Sequence, residues 1–376
     1  MIRVLGLMRD EGACMLYRVR QPLSLIKKAG LADVSLCGVG SDKNISFESA
    51  MLESDVIHAP RVSCDTMHRL METLQPLGKK IIIDHDDDIF NINPFSPWYR
   101  DFGTKEVKIN IDGKEEVLWK NGTDGEPRSI DIEANIEKMQ VARECLRMAD
   151  AVTVTTKELA DVYSEYNHRV YTLPNCIDFN HWLINPKENE KVKIVWQGGD
   201  SHYQDLISIK KPLINVLNKY KEFVQFILCG EYFEGFANDL PSGIVRYYPW
   251  ISVDAHSYRM SALNADIGIV PIIHDKFNAG KSPIKFHEYS AIKTATLASD
   301  YPPYSKVIED GVNGYLFKPE QEFEEKLSLL IGEKKLRSEL ANRAYYDTHK
   351  NYNAEDTVKE WMEVYDSVYE SSLAIC

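Results

Sequence analysis

Asn278-Ala-Gly-Lys-Ser-Pro-Ile-Lys-Phe-His-Glu-Tyr-Ser290 follows an apolar run, Asp266–Ile272, and has the composition of a helix start. An apolar strand leading into a helix is the repeating unit of a parallel α/β sheet. The first turn of such a helix carries unpaired N–H groups and the positive end of the helix dipole, so it accepts an anion. Lys281 and Ser282 sit where a phosphate is held, and Pro283 suits the first helical turn. Lys285 and Glu288 share one helix face. A cation beside phosphates, with a carboxylate one turn further on, can grip a diphosphate and a ribose diol together. The plainer reading is a capped helix with a surface ion pair, and these residues alone do not separate the two.

Working outward, short apolar runs alternate with helical patterns along the whole chain. Strands are expected at Ile2–Met8, Val34–Val39, Val56–Ala59, Lys80–Asp84, Ala151–Thr155 and Arg169–Leu173, with helices at about Met15–Ala29, Thr66–Leu77, Ile130–Ala149 and Lys157–Tyr166. The rhythm breaks between Phe90 and Ser129. There Val107–Lys120 alternates around Asp112-Gly113, so residues 105–122 read as an inserted hairpin suited to specificity or oligomer contacts. Trp182-Leu-Ile-Asn-Pro186 and the polar run Lys187–Lys191 mark a domain boundary. A second series follows, with strands at Val192–Gln197, Val224–Cys229, Ile244–Tyr248, Asp266–Ile272 and Ala295–Ser299. Its helices are expected at Tyr203–Tyr220, Asp254–Asn264 with Asp254 as N-cap, Ser282–Ile292, Pro319–Gly332, Lys334–His349 and Ala354–Ser372.

The chain has 376 residues, 44% hydrophobic and 27% charged, ordinary values for two domains each with its own core. A formal net charge of -13 argues against a general nucleic-acid binder, because affinity for phosphate backbones comes from Lys and Arg. Seven cysteines stand singly, from Cys14 to Cys376, with no C-x-x-C pair. That pattern points to a reducing, cytoplasmic compartment without a disulfide framework or zinc site. The start Met1-Ile-Arg-Val-Leu-Gly-Leu-Met-Arg9 is charged too early for a secretory leader. No apolar run approaches the ~18 residues of a membrane span, and peripheral membrane contact stays open.

Four stretches, in order, carry a resemblance. Leu173-Pro-Asn-Cys-Ile-Asp178 is similar to a P-N-G-I-D hinge, and Val195-Trp-Gln-Gly-Gly-Asp-Ser-His-Tyr-Gln-Asp-Leu206 to W-x-G-x-x-x-H-x-x-D-L. Lys281–Tyr289 resembles K-S-x-x-K-x-x-E-Y, and Ala298–Tyr304 with Val307–Phe317 resembles a small-residue strand followed by E-x-G-x-N-G. Together they look like the donor half of the retaining GT-B glycosyltransferases grouped as family 4. The resemblance implies two Rossmann-like domains facing across a cleft: residues 1–180 for the acceptor, 190–350 for a nucleoside-diphosphate sugar, and 351–376 as a helix crossing back. It implies that Glu288 binds the donor ribose, and that Lys281, Ser282, Lys285 and the Gly198–Ser201 loop, with Gly199 and Ser201, hold the diphosphate. His202 stands in part for an Arg/Lys phosphate pair. Many members carry a first Glu where this chain has Gly280, so the contact to the donor sugar departs from the pattern.

Two further clusters belong to the N-terminal half. Asp84-His-Asp-Asp-Asp-Ile-Phe90 lies just past an apolar strand, in the crevice where open α/β sheets bind ligands. Crowded carboxylates there suit a divalent metal, sugar hydroxyls, or helix capping. Sugar binding is favoured, because GT-B enzymes generally need no metal. His85 or Asp86 lies near the family's sugar-touching His, and Asp87 and Asp88 are assigned to acceptor or sugar. The loop Arg9–Cys14 follows the first strand; Gly12 permits close backbone approach to donor phosphates, and Arg18 is placed near phosphate or acceptor. Tyr247, Tyr248 and Trp250 are candidates to flank a nucleotide base.

The expected activity is retaining glycosyl, in particular hexosyl, transfer from a nucleoside-diphosphate sugar, with a UDP-sugar first among co-substrates and no tightly bound cofactor. His85, Asp86 and Lys281 are the catalytic candidates. The acceptor is a surface glycan or lipid-linked intermediate. For a phage-type member working in host cytoplasm it is a hydroxymethylated DNA base, gripped by Arg18, Arg20, Lys105, Lys108, Lys114 and Lys120. The alternatives are a non-catalytic sugar-nucleotide binder, and a metal-dependent transferase using Asp84–Asp88. Oligomeric state is not indicated.

Overall fold

The computed structural model describes residues 1–38, 46–111, 113–122, 128–318 and 321–373. Val39, Asp112, Pro319 and Cys376, named above, lie outside them. The chain divides into two compact units, Met1–Pro174 with the C-terminal segment from Thr357, and Asn175–Asp356.

In chain order the first unit carries β1 (Arg3–Met8), β2 (Asp33–Gly38), β3 (Val56–Pro60), β4 (Lys80–His85), β5 (Val107–Ile111), β6 (Lys114–Asn121), β7 (Ser129–Ile130), β8 (Ala151–Val154) and β9 (Val170–Thr172). Its main sheet runs β2-β1-β3-β4-β8-β9, every pair parallel. Parallel strands are covered on both faces and so read as unbroken apolar runs; Ile81, Ile82 and Ile83 are accordingly all buried. The order reverses between β1 and β3. At such a switch point neighbouring loops diverge and leave a crevice beyond the strand ends.

The insertion is more than a hairpin. β5 and β6 pair antiparallel, and β6 then takes β7 as a parallel neighbour. Trp119 anchors it by packing with Tyr99 and Ile130 and donating its indole N–H to the Pro94 carbonyl at 2.6 Å. The first helical stretch begins at Ala13 and contains a π-turn at Leu16–Arg20 before Gln21–Lys28. A helix at Phe47–Glu53 had no strong apolar period to announce it.

The second unit carries β10 (Val192–Gly198), β11 (Val224–Gly230), β12 (Val245–Pro249), β13 (Ile267–Val270), β14 (Ala295–Ser299) and β15 (Tyr315–Phe317). The sheet order is β12-β11-β10-β13-β14-β15, again wholly parallel. This is the doubly wound dinucleotide-fold order, with its switch point between β10 and β13. Trp196, Leu213, Phe226 and Phe323 fill one core beside the sheet.

Some expectations are corrected. The helix expected over Tyr203–Tyr220 breaks at Ile209 into Tyr203–Ser208 and Lys210–Lys219. Pro212 has no N–H to give the Ser208 carbonyl, so the first piece ends there. Ser252, not Asp254, is the cap of Val253–Leu263. Pro283 caps a helix, Ile284–Ala291, that starts later than expected. The last helix begins at Val358, not Ala354. β15 was too short for a period to show. The unit boundary falls at Pro174, ahead of the polar run. Residues beyond it are bonded into the second unit, with the Leu183 N–H on Ser261 Oγ at 2.9 Å and Lys187 Nζ on the Ala265 carbonyl at 2.7 Å.

Candidate functional site

The quoted stretch sits beyond the C-terminal end of β13, beside the end of β10. Helix Ile284–Ala291 is seated there by Tyr289, which is buried and donates to the Val195 carbonyl at 3.5 Å. The ring lies so close to β13 that a methyl group at Gly268 would stand 2.4 Å from it. Gly268→Ala is therefore expected to push the helix off the sheet and cost about 1–3 kcal/mol. Urea unfolding of the second unit reads this, and an unchanged midpoint contradicts the seating.

That seating buries Glu288 to 6% exposure. Gln197 at the end of β10 donates Nε2 to its Oε2 at 2.7 Å, and His256 Nε2 stands 3.6 Å from the same oxygen. Burial alone would lower the His256 pKa, but the Glu288 carboxylate outweighs it and raises it. A buried carboxylate held by a donor from β10, with an imidazole from another helix at ion-pair distance, is fixed in direction, as ligand recognition requires.

Lys285 lies one turn earlier on the helix, and Lys281 just ahead of it. Lys281 Nζ lies over the Phe277 ring at 4.8 Å and Lys285 Nζ over Trp196 at 5.9 Å. Burial, with Lys281 adding repulsion and Asp205 and Glu288 opposing, pushes the Lys285 ammonium down to about 7. His202 does not stand open as a phosphate ligand: its Nδ1 meets Asp205 Oδ2 at 2.8 Å. Burial and the two lysines drive its pKa down to about 3, so it is neutral. Asp205 also accepts from the Ile273 N–H at 2.8 Å and so ties the loop after β13 to the helix after β10. Ser282 Oγ is buried with no hydrogen-bond partner among the described residues, an unsatisfied group at the helix start. Lys281 just before the helix and Lys285 in its first turn, both partly buried, are an arrangement able to hold a diphosphate.

Gly199 opens the turn Asp200–His202, within which the Ser201 N–H bonds Asp200 Oδ1 at 2.7 Å. Trp250 is 59% exposed, yet its Cζ2 would lie 3.3 Å from a methyl group at Gly199 or Gly230. Gly230 has φ +111°, and a side chain there would strike the Gly198 carbonyl oxygen at 2.4 Å. The indole thus stands at the mouth of the same crevice. Tyr247 bonds the Gly230 carbonyl at 3.1 Å, and Tyr248 lies under Arg259.

In the first unit the acidic cluster is largely neutralised from within. Asp84 and Arg18 are each 1% exposed. Arg18 reaches Asp84 through Nη2 at 2.6 Å and Nε at 3.0 Å, and Thr153 Oγ1 donates to Asp84 at 2.7 Å. Arg18 is thus corrected from an acceptor or phosphate contact to an internal ion pair. Arg61, at φ +51° just after β3, bonds Asp86 at 2.5 Å and Asp87 at 2.8 Å. Burial pushes the Asp86 carboxyl up, but Arg61 outweighs it and holds it at about 2. Asp88 accepts the Phe90 N–H at 3.0 Å, a local turn. His85 is stacked on Tyr163 at 4.7 Å; burial lowers its pKa to about 4, and neither ring nitrogen is partnered among the described residues. Gly12 donates its N–H to Asp10 at 2.8 Å. Among the described residues no three His, Cys, Asp or Glu side chains are grouped to hold a metal ion.

Gln197, Asp205, His256 and Arg61 were not singled out from the sequence. Gln197 and Asp205 lie inside the quoted stretch 195–206 and could have been weighed there. His256 and Arg61 carry no local signal, because each acts on a residue far along the chain.

Residues 245–347 match the family described as Glycosyl transferases group 1. No curated protein matches the sequence. Among solved structures, sucrose-phosphate synthase from Thermosynechococcus elongatus is 12% identical, with 99% of this chain and 100% of that one covered and a TM-score of 0.66. Anabaena HepE, solved with UDP-glucose, is 14% identical, with 98% and 100% covered and a TM-score of 0.64. A glycosyltransferase from Rickettsia africae is 12% identical, with 98% of each chain covered and a TM-score of 0.59. The fold is GT-B, and the matched segment makes the chain a nucleotide-sugar-dependent glycosyltransferase. No described helix is long and apolar enough to cross a membrane.

Proposed function

We propose that this glycosyltransferase binds its donor in the second unit, with diphosphate on Lys281, Lys285 and Ser282, ribose on Glu288, and base against Trp250. The observation that carries this is Glu288, buried and held by Gln197 one turn beyond Lys285, with Lys281 just before the helix, at the sheet's switch point. The lysines and the helix N-terminus stabilise the leaving diphosphate, which gains charge as the glycosidic bond breaks. Such a leaving group can itself take the acceptor's proton. UDP-sugars come first because HepE was solved with UDP-glucose.

Transfer with retention is proposed from the likeness of the four motifs, and anomeric NMR of the product reads it directly. In the first unit we assign Asp86 and Asp87, both aimed by Arg61, to hydroxyl groups of an acceptor or sugar, whereas His85 is fully buried against Tyr163. A neutral hydroxyl-bearing acceptor fits them better than DNA. Arg18 is internal, and Lys108 is paired with Glu115 at 2.8 Å, so at least these two of the named cations are already engaged. The metal-dependent alternative is disfavoured because Arg18 and Arg61 already occupy Asp84, Asp86 and Asp87.

The test is a panel of UDP-, GDP- and ADP-sugars read by thermal shift and nucleoside diphosphate release, with Glu288→Ala alongside. One nucleotide should raise the melting temperature of the wild type, and the variant should bind it about tenfold or more weakly. No shift with any donor, or equal affinity in the variant, overturns the assignment.

A further inference from the structure

We propose that His256 is a positioning residue for Glu288, and that its protonation sets how strongly the site distinguishes a ribose from a deoxyribose. The proposal rests on the assignment of Glu288 to the donor ribose. It starts from geometry: Glu288 Oε2 is shared between Gln197 Nε2 at 2.7 Å and His256 Nε2 at 3.6 Å. Gln197 donates whatever the pH. His256 carries a full charge only when protonated, so it alone can change the hold on the carboxylate.

The surroundings of His256 are few and fixed. The ring comes from helix Val253–Leu263, and Trp182 stands edge-on to it, 6.1 Å between centroids. Glu288 faces it from helix Ile284–Ala291. Arg259, one turn along its own helix, donates to the Pro249 carbonyl at 3.1 Å and opposes protonation. Cys229 on β11 belongs to the same neighbourhood, its thiol pushed up to about 11 by burial and so neutral. Glu288 prevails over burial and Arg259, which places the His256 pKa above its ordinary 6.5.

The consequence follows from competition for one carboxylate. A ribose hydroxyl bonds most strongly to a carboxylate whose charge is not already drawn off. Imidazolium beside Oε2 draws on that charge, and neutral imidazole does not. Discrimination by Glu288 therefore rises with pH as His256 loses its proton. By linkage, a nucleotide that bonds Glu288 lowers the His256 pKa in return.

Dissociation constants for UDP and 2′-deoxy-UDP, measured between about pH 6 and pH 9, isolate this effect in their ratio. Titration of Lys285 and of the terminal phosphate acts on both nucleotides and cancels. The ratio should be about tenfold at the high end and fall several-fold towards the low end, and it should be flat in His256→Gln. Imidazole NMR of the wild type gives the same answer without a variant: UDP should lower the His256 pKa, and 2′-deoxy-UDP should lower it less. A ratio near one at every pH removes the ribose assignment itself. A large ratio that is flat in the wild type, or that slopes equally in His256→Gln, keeps the ribose assignment and overturns the role of His256.

Discussion

Lys285→Ala is expected to lower kcat by about two to three orders of magnitude, the cost of losing one preorganised group that faces developing charge. The loss should exceed any change in donor KM. In the ground state the diphosphate is also held by Lys281 and the helix N-terminus, whereas the leaving group needs every positive group at once. Lys285→Arg should recover little, because a planar guanidinium does not occupy the point-like position over Trp196. A second measurement checks the cause. In the empty site the ammonium lies at about 7, so above that pH most of it is neutral. A bound diphosphate favours the charged form and raises the pKa. Donor binding at about pH 8 should take up protons, and binding at about pH 6 should take up far fewer. Calorimetry in two buffers of different protonation enthalpy, using a sugar nucleotide without a terminal phosphate group, counts them. Equal uptake in Lys285→Ala, or an unchanged kcat, contradicts the clamp.

Asp84→Ala is expected to be the most damaging single change to stability, costing about 3–5 kcal/mol. The mutation removes the carboxylate that accepts from both Arg18 and Thr153 and leaves a guanidinium at 1% exposure without its counter-charge. Arg18 also donates to the Leu173 carbonyl at 2.5 Å and lies over Trp361 at 5.0 Å, so the helix Val358–Leu373 should loosen with it. Pairing Asp84→Leu with Arg18→Met removes both charges and should recover a good part of the loss. Urea unfolding followed by tryptophan fluorescence, with the second unit's transition as internal reference, reads this. An Asp84→Ala variant as stable as wild type, or a double variant worse than the single one, would refute the reading of an internal ion pair.

These two changes concern the two charged clusters that the sequence displayed, and they show why one was easier to interpret. Lys281, Lys285 and Glu288 lie on one short stretch whose spacing already places them on a helix start. Their partners are mostly near at hand, Phe277 just before that stretch and Trp196 and Gln197 on the strand β10 beside it, with His256 added from one further helix. The run Asp84–Asp88 looked equally functional, but its meaning depends on Arg18 and Arg61, each supplied by a different loop or helix of the same sheet. Carboxylates that look open in a string of letters are closed by cations brought from elsewhere.

The sequence by itself determined the α/β class, most of the parallel strands, and the stretch proposed to bind the nucleotide. Periodicity, helix starts and motif spacing are local, and short-range sterics and hydrogen bonding enforce them. Only the tertiary structure decided that Arg18 is internal, that Arg61 and His256 stand beside those carboxylates, and that the first unit ends at Pro174. Those outcomes depend on which groups meet across a packed sheet. There burial strengthens every charge interaction, and neighbours far apart in sequence determine whether a side chain is spent or available.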